Sequence, residues 1–500
     1  MASEIHHLKV HVLTPLHIGA AQEKHLREGL DFLQEDGVVW IFDQSRIIEK
    51  FGLEAYCNAL ERGRAGIGDL MRGRRAELAE ISSVQLPLTG HAEDYHAMIK
   101  DGAAGKPLLP GSSVKGALSS VLLKRLIMEA GDTPEKVMAD RNDRSKIKQP
   151  EQTYLGTFDN SLMRFIQCAD TAFDGFALYN TKIFNLMGRG NALSGGWKHA
   201  LQNRTTADFN PTDFTTAYEC IPPGAWGAFR LGFDRIMYDR YSGKSMLKRG
   251  AARIFAGRFV DVLMEEIYRH TAEYLHKEIA FFRKYSCRES DAVLAALEDI
   301  QARNTPDTPV LRMAHGSGFH SITGDWQYDD YCNDRDVDDR SGKKKYKSRR
   351  LAFDLGPGGE YRFHPMGFIQ LMTRDYYDTR FRAEAEAEQA RREAERRAAA
   401  AEKQAKAAEE LRLAEEARKP VMVSAGQLNF KKQPVIDGVV VGQNGAYLLC
   451  RPFIEEYKEV ELSLRYPAGM PEGTVVRFRV TLQGKKLQPI GAPTIKTGKE

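Results

Sequence analysis

Residues 108–123, LLPGSSVKGALSSVLL, place a turn, two hydroxyls and a lysine at the start of a run with helical apolar spacing. The start of a helix offers free backbone N–H groups and the positive end of the helix dipole, which together bind phosphate. We expect Pro110 and Gly111 to form the turn and Ser112 or Ser113 to be the N-cap. The pattern therefore predicts a phosphate-binding helix start.

Lys115 makes this interpretation more specific. A lysine in the first turn is unfavourable for the helix itself, because the dipole prefers an acid there, so its placement favours an anionic ligand. The alternative is a well-capped helix with one exposed lysine. The stretch does not fit the G-x-x-x-x-G-K-[ST] pattern, and we expect no nucleotide hydrolysis from it.

Three further stretches carry small polar residues at predicted strand ends and turns. Residues 11–21, HVLTPLHIGAA, run from a strand into a turn, and residues 163–173, MRFIQCADTAF, resemble a strand that ends in an acid. Residues 311–326, LRMAHGSGFHSITGDW, form a glycine-rich loop after an apolar run. The candidate site residues of the first and last stretches are His17, Gly19, Gly316, Ser317, Gly318 and His320.

These four stretches, in this order, resemble the RAMP superfamily of CRISPR-associated proteins, and most of all the family of fifth subunits of type III-A Csm effector complexes. Members of that family begin with an LTPLHIGSG-like strand, carry an IPGSSIKGALR-like turn and a strand ending in an acid, and have a late glycine-rich loop. The resemblance covers roughly residues 8–375. This chain departs from the pattern at Ala20 and Ala21, where a second glycine is usual, and lacks the arginine often found after KGAL.

The resemblance implies an α+β fold with RRM-like (ferredoxin-like) RAMP domains and a function in RNA-guided interference. It implies a non-catalytic subunit that contacts the 3′ region of the CRISPR RNA, caps the filament of backbone subunits and aids maturation of that RNA. The implied partners are the CRISPR RNA and other type III effector subunits, with target RNA and a maturation nuclease as further candidates. No cofactor is implied.

RNA contacts in such a subunit are to the backbone, because it must accept any spacer sequence. The backbone N–H groups from Gly111 to Val114, the two serine hydroxyls and Lys115 would contact phosphates. Gly316 and Gly318 would let RNA approach the main chain.

Two basic segments extend the predicted RNA surface. Residues 188–204 combine cations with an aromatic ring, the mixture with which proteins bind single-stranded RNA, and residues 341–350 hold six basic residues and Tyr346. The alternatives are a surface loop around a buried tryptophan for the first segment and a solvated loop for the second. The candidate residues are Arg189, Trp197, Lys198, Arg204, Lys343, Lys344 and Lys345.

Catalysis and metal binding are not expected. Some RAMP proteins cut CRISPR RNA by metal-independent attack of the 2′-OH, which needs a general base, and His17, His315 and His320 keep an endoribonuclease open as an alternative. A sister RAMP subunit is another alternative. Residues 91–96, HAEDYH, lack the H-x-x-x-H spacing that aligns two imidazoles on a helix, so we predict no metal site there.

Four regions follow from the order of predicted elements. Residues 1–160 form a predicted N-terminal RAMP domain, and residues 161–378 form a second one that contains the glycine-rich loop. Residues 379–419 are almost entirely Ala, Glu, Arg and Lys and predict a solvated helical spacer. Residues 420–500 carry short β runs between turn sequences, which predicts a small OB-like barrel with a basic tail. A protein-recruiting adaptor that acts through these last two regions is a further alternative.

Composition limits the remaining classes. The 500 residues carry 72 basic and 68 acidic side chains, a net charge of +4, so local charge matters more than the total. The six cysteines form no C-x-x-C pair, which argues against a zinc knuckle or a redox motif. No window approaches the roughly 20 apolar residues of a membrane span, so we expect a cytoplasmic protein without a membrane partner.

Overall fold

A computed structural model describes the chain except for residues 1–3, 20–24, 64–65, 72–74, 103–104, 135, 138–149, 190–191, 200–204, 314–347, 357, 419–421, 467–469 and 496–500. The chain divides into two compact units, Met1–Ala383 and Glu384–Glu500. The predicted boundary between residues 160 and 161 stays a prediction.

The first unit mixes helices and strands, as the sequence predicts. Its helices are α1 (Gln44–Phe51), α2 (Leu53–Glu61), α3 (Gly66–Met71), α4 (Arg75–Ile81), α5 (Gly111–Glu129), α6 (Pro150–Tyr154), α7 (Arg235–Gly243), α8 (Phe259–Lys284), α9 (Ser290–Arg303) and α10 (Arg374–Arg380). Its strands are β1 (Glu4–Val12), β2 (His25–Arg27), β3 (Phe32–Glu35), β4 (Val38–Phe42), β5 (Ser82–Pro87), β6 (Asp94–His96), β7 (Leu108–Leu109), β8 (Ile166–Cys168), β9 (Thr171–Ala172), β10 (Ala177–Arg189), β11 (Ala192–Lys198), β12 (Thr205–Thr206), β13 (Thr215–Cys220), β14 (Trp226–Phe233), β15 (Val310–Arg312), β16 (Arg349–Leu355), β17 (Tyr361–Pro365) and β18 (Phe368–Thr373).

An antiparallel five-stranded sheet has the strand order β15-β18-β1-β14-β8. On β1 the residues Leu8, Val10 and Val12 alternate with more exposed neighbours, and they lie in the same core as the buried faces of α5 and α8. On α8 the buried Phe259, Leu263 and Ile267 recur every four residues, so one face of this helix is apolar. The two helices alternate with the strands along the chain, in the order β1, α5, β8, β14, α8, β18.

A larger eight-stranded sheet follows the order β12-β11-β10-β13-β6-β2, with β16 on the other edge of β10 and β17 beside β16. One face of this sheet packs into a core around Phe184, Trp197 and Phe353, together with α8 and α9. Since side chains alternate along a strand, the neighbours of these residues point to the opposite face. A three-stranded sheet, β3-β4-β5, packs with α1–α4 around Phe42 and Ile47.

The second unit contains most of α11 (Arg382–Arg418) and a sheet formed by β19 (Val435–Asn444), β20 (Tyr447–Pro452), β21 (Leu462–Arg465), β22 (Val475–Gln483) and β23 (Lys486–Ile495). The predicted long charged helix is α11. The sheet has the order β21-β20-β19-β22-β23, and β21 also lies against β23, so the sheet nearly closes into a barrel. Its interior is apolar, with Val440, Leu448 and Phe478 almost fully buried.

Candidate nucleic-acid interface

The first motif, LTPLHIG, continues from β1 and is bonded to the turn between β17 and β18, which is bonded in turn to the end of β15. The Phe368 N–H donates to Thr14 Oγ1 at 2.9 Å, and the Gly367 N–H donates to the Pro15 carbonyl at 3.0 Å. The Met313 N–H in turn donates to the Gly367 carbonyl at 2.7 Å. Met313 is therefore linked to the first motif through Gly367.

The same motif is linked to the predicted phosphate turn through a short backbone ladder. The Ile99 N–H donates to the Ile18 carbonyl at 2.9 Å, and the Leu108 N–H donates to the Ile99 carbonyl at 3.1 Å. Leu108 also pairs with Ala172 in the two-stranded sheet β7-β9. Segments from all four motifs thus converge on one region, which we call the motif junction: residues 14–19, 108–115, 168–172 and 311–313.

The phosphate turn and the predicted terminal acid meet directly at the motif junction. The main-chain N–H of Gly111 donates to Asp170 Oδ1 at 2.7 Å. A Cβ on Gly111 would lie 2.0 Å from the Cys168 carbonyl oxygen, so only glycine fits this approach.

Helix α5 begins earlier than the sequence predicted. Its first residue is Gly111 and its N-cap is Pro110, with no side-chain cap among the described residues, so the predicted capping by Ser112 or Ser113 is wrong. The N–H groups of Ser113 and Val114 donate to the Pro110 carbonyl at 3.0 and 3.2 Å. The Asp170 bond to the Gly111 N–H accounts for this earlier start, because it fixes the chain one residue before the serines.

The side chains that remain for an anion are those of Ser112, Ser113 and Lys115. Ser112 is exposed, and the other two are partly exposed. Lys115 lies near Cys168, whose thiol pKa is raised to about 11 by burial against the opposing effect of the lysine charge. These three side chains therefore stand at the positive end of α5, beside the Asp170 carboxylate.

His17 is a core residue in the structure, not the exposed RNA contact that the sequence suggested. Its side chain is 1% exposed, its Nδ1 lies 2.6 Å from the Glu219 carbonyl oxygen, and its ring packs edge-on against Tyr218. Gly19 is partly exposed and forms a bridge with Met98. The first motif therefore fixes the stretch after β1 against β13 and against the segment after β6.

A buried carboxylate holds this region together from the core side. Glu219 accepts hydrogen bonds from the Tyr95 hydroxyl, from the Met98 N–H at 2.9 Å and from Lys100 Nζ at 2.8 Å. Burial and the charge of Glu219 raise the pKa of Tyr95, so the phenol stays protonated and remains a donor. Lys100 also lies 4.1 Å from the centre of the Phe176 ring.

The basic segment at 188–204 does not present its tryptophan. Trp197 is fully buried, stacks on Phe363 and donates from Nε1 to Glu289 at 2.9 Å. The alternative of a buried tryptophan therefore describes it, and its ring is not a stacking surface. Lys198 is partly exposed, with its ammonium 4.8 Å from the centre of the Phe214 ring.

The remaining candidate residues are described in part or not at all. Arg189 lies at the end of β10, where the backbone alone is described. The other candidates lie outside the described residues: Arg204, Gly316, Ser317, Gly318, His320, Lys343, Lys344 and Lys345.

The face of the eight-stranded sheet opposite the core around Trp197 carries polar and aromatic side chains around a small buried cluster of Tyr218, Cys220, Ala352 and Met366. We call it the polar face, and its members are His25, His96, Tyr218, Tyr179, Arg350 and His364, placed on that face by the strand registers. Sequence reasoning missed it because the members come from six short strands far apart in the chain. The available signal was alternation within single strands, such as His-Leu-Arg in β2 and Asp-Tyr-His in β6.

The described part of the chain shows neither a metal site nor a membrane-spanning helix. No group of three or more His, Cys, Asp or Glu side chains there is arranged to hold a metal ion. None of the described helices is long and apolar enough to cross a bilayer. The described cysteines are free thiols.

No protein-family model and no curated protein matches the chain. Among solved structures, it is similar to a chain of a Csm–crRNA–target RNA ternary complex of a type III-A CRISPR-Cas system, with 18% identity and a TM-score of 0.48, covering 74% of this chain and 100% of that one. It is also similar to Csm5 of T. onnurineus, with 18% identity and a TM-score of 0.45 over 72% of this chain and 99% of that one. A type III-B Cmr-beta complex bound to target RNA gives 10% identity and a TM-score of 0.18 over 49% and 51% of the two chains.

Proposed function

We propose that the chain is a non-catalytic RNA-binding subunit of a type III CRISPR effector complex, a RAMP protein similar to the fifth subunit of the type III-A complex. In this role it contacts the 3′ region of the CRISPR RNA, caps the filament of backbone subunits and aids RNA maturation. The observation that carries the proposal is the motif junction, in which hydrogen bonds connect four segments recognised separately in the sequence. The first segment is linked to the second through Ile99 and to the fourth through Gly367, and the second is bonded directly to the third.

The five-stranded sheet supports the RRM-like part of the proposal. Four of its strands lie side by side in the order β18-β1-β14-β8. Along the chain, α5 lies between β1 and β8, and α8 lies between β14 and β18. A β-α-β-β-α-β chain whose strands lie in the order 4-1-3-2 has the ferredoxin-like arrangement that RRM domains share. β15 extends this sheet beyond β18.

Backbone recognition of RNA fits the groups at the motif junction. The Ser112 and Ser113 hydroxyls and the Lys115 ammonium stand at the positive end of α5, where a phosphate is stabilised irrespective of base sequence. Asp170 already accepts from the Gly111 N–H, so the phosphate contacts are side-chain contacts more than main-chain ones. The partners in this proposal are the CRISPR RNA and other type III effector subunits, with target RNA and a maturation nuclease as further candidates. The proposed location of the protein is the cytoplasm.

Of the three candidate bases, His17 supports the non-catalytic assignment through its environment, whereas His315 and His320 lie outside the described residues. A general base must reach the 2′-OH of bound RNA, whereas the imidazole of His17 is buried, with Nδ1 held by the Glu219 carbonyl and the ring held by Tyr218. This geometry favours a structural histidine over an endoribonuclease base.

The test is to co-express the chain with the other subunits of its complex, purify the assembly and sequence the bound RNA with its ends mapped. Repeat-plus-spacer RNAs whose 3′ ends change in the Ser113→Ala/Lys115→Ala variant are expected. Lys136→Ala is the matched control, because that lysine is paired with Asp132 at 2.6 Å. An assembly without RNA, or RNA ends identical in all three proteins, contradicts the proposal and favours the adaptor alternative.

A further inference from the structure

The polar face carries a continuous row of rings and one guanidinium. His96 stacks on Tyr218 with ring centroids 4.5 Å apart and planes 4° from parallel. His25 meets His96 edge-on at 4.1 Å, and the Arg350 guanidinium lies 5.3 Å from the centre of the Tyr218 ring. The row therefore runs across the sheet from β2 to β16, with aromatic groups at one end and a cation at the other.

Arg350 differs from the arginines beside it. Arg349 is buried and makes a bidentate pair with Glu278, with both N···O distances 3.0 Å, and Arg362 pairs with both oxygens of Asp354 at 2.9 Å. Arg350 is partly exposed and donates to the Thr181 hydroxyl at 3.0 Å, and it has no carboxylate partner among the described residues. A partly desolvated cation that has no carboxylate partner is stabilised when an anion binds it.

The carboxylates near the row do not satisfy this cation. Asp354 lies on the same face, and its oxygens are bonded to Arg362 and, at 3.3 Å, to His364. Asp94 stands opposite Arg27 in the pairing of β2 with β6, at the far end of the row. Arg350 is thus left as the positive centre of the polar face.

We propose that the polar face is a second RNA subsite that takes a short stretch of single-stranded RNA, with one phosphate on Arg350 and a base of a neighbouring nucleotide against His96 and His25. This inference rests on the proposed function. Ring stacking beside a guanidinium is the combination with which proteins hold unpaired bases without reading their sequence. A protein segment would need either an apolar groove or a row of unpaired strand edges. The strands of this face are paired, and its apolar side chains Cys220, Ala352 and Met366 are fully buried and offer a partner no apolar surface.

The exposed end of the row explains how a base enters. His25 is exposed, whereas Tyr218 is 5% exposed between its neighbours. A base that displaces the edge-on His25 ring gains the flat face of His96 and continues the His96–Tyr218 stack. The subsite also adjoins the motif junction, because His17 of that junction packs against the Tyr218 ring with centroids 4.8 Å apart.

The experiment compares the full-length chain with Arg350→Gln, His96→Ala and the control Arg269→Gln, which removes an exposed arginine of α8 paired with Glu265, using fluorescence anisotropy with a labelled unstructured RNA of about 20 nucleotides. We expect Arg350→Gln and His96→Ala each to weaken binding about 5- to 20-fold, and Arg269→Gln to change it less than about 2-fold. Melting curves identify any variant that fails to fold.

A second measurement does not depend on variants. The wild-type chain is cross-linked to the same RNA carrying 4-thiouridine, and the attached peptides are identified by mass spectrometry. Cross-links in residues 94–96 or 215–220 support the subsite. If wild-type protein binds RNA and neither the affinities nor the cross-links involve this face, the subsite is wrong while the proposed function stands; if wild-type protein binds no RNA at all, the proposed function fails first.

Discussion

The backbone N–H of Gly111 is held by the carboxylate of Asp170, 59 residues further along the chain, at 2.7 Å. This bond joins the start of α5 to the turn between β8 and β9, and it places an acid at the positive end of a helix, where it is stabilising. The same bond determines which groups stay available to an RNA phosphate. The helix start is therefore both a structural link and the border of the candidate RNA surface.

Substitution of Gly111 tests how closely these two segments approach. Gly111→Ala puts a Cβ at 2.0 Å from the Cys168 carbonyl oxygen, and since that neighbour is backbone it cannot turn aside. We expect a loss of about 1–3 kcal/mol in the free energy of unfolding, measured by denaturant titration. Gly116→Ala in the same helix is the control, because a Cβ there meets nothing within 4 Å, and it should stabilise by about 0.5–1 kcal/mol. Equal effects of the two changes would contradict the close approach.

Lys115 should contribute to RNA affinity through its charge. We expect Lys115→Ala to weaken binding of single-stranded RNA about 3- to 10-fold at low salt. The negative slope of log K against log salt should become less steep by about 0.7. The measurement is a salt series of binding isotherms. Lys136→Ala should leave the slope unchanged, because Asp132 already neutralises that lysine. Weaker binding with an unchanged slope would contradict a phosphate contact of Lys115, and melting curves identify a variant that fails to fold.

Local sequence patterns predicted the main elements around the motif junction. They failed where contacts between distant segments determine the position or burial of a residue. The helix after Gly111 and the charged helix α11 follow from apolar spacing and composition. The predicted strand over residues 163–173 is a strand only at Ile166–Cys168 before Asp170, since Leu162–Phe165 form a 3-10 helix. The start of α5 was misplaced because Asp170, which binds the Gly111 N–H, is distant in sequence. Trp197 looked like a surface ring among cations, yet Phe184, Phe209 and Phe363 enclose it, and those contacts come from strand pairings that no local pattern shows.

Lys182 should make stability depend on pH. It is buried and donates to the Asp213 carbonyl, and burial lowers its pKa to about 8 from 10.5, against the attraction of the Asp213 charge. Between these values the unfolded chain binds more protons than the folded chain, so the contribution of this group to stability rises with pH. Lys182→Met avoids the buried charge, and its stability relative to wild type should fall by up to about 3 kcal/mol from pH 7 to pH 10. Denaturant titrations of both proteins at the two pH values measure this. If the difference in the free energy of unfolding between the two proteins is the same at both pH values, the pKa of Lys182 is not lowered.

Arg349 and Arg362 should differ sharply in their effect on stability. Arg349 and Glu278 are each 4% exposed, and the guanidinium lies 3.6 Å from the centre of the Phe281 ring, so Arg349→Met leaves a buried carboxylate without its cation. We expect a loss of about 3–5 kcal/mol in the free energy of unfolding. Arg362 is about half exposed, and Arg362→Gln should cost no more than about 1 kcal/mol. Restoration of stability by the double change Arg349→Met/Glu278→Leu would confirm that the unpaired carboxylate, not lost packing, is the cause.

Removal of residues 384–500 separates the RNA-binding proposal from the adaptor alternative. The candidate contacts Ser113, Lys115 and Arg350 all belong to the unit Met1–Ala383, whereas the barrel-like sheet has its own core around Val440 and Phe478. The shortened chain should therefore fold and bind single-stranded RNA within about 2-fold of the full chain, with the same salt slope. Anisotropy with both proteins, each also tested as the Lys115→Ala variant, measures this. If affinity is lost on truncation and Lys115→Ala has no effect in either protein, the RNA-binding surface lies in the second unit and the motif junction has a structural role alone.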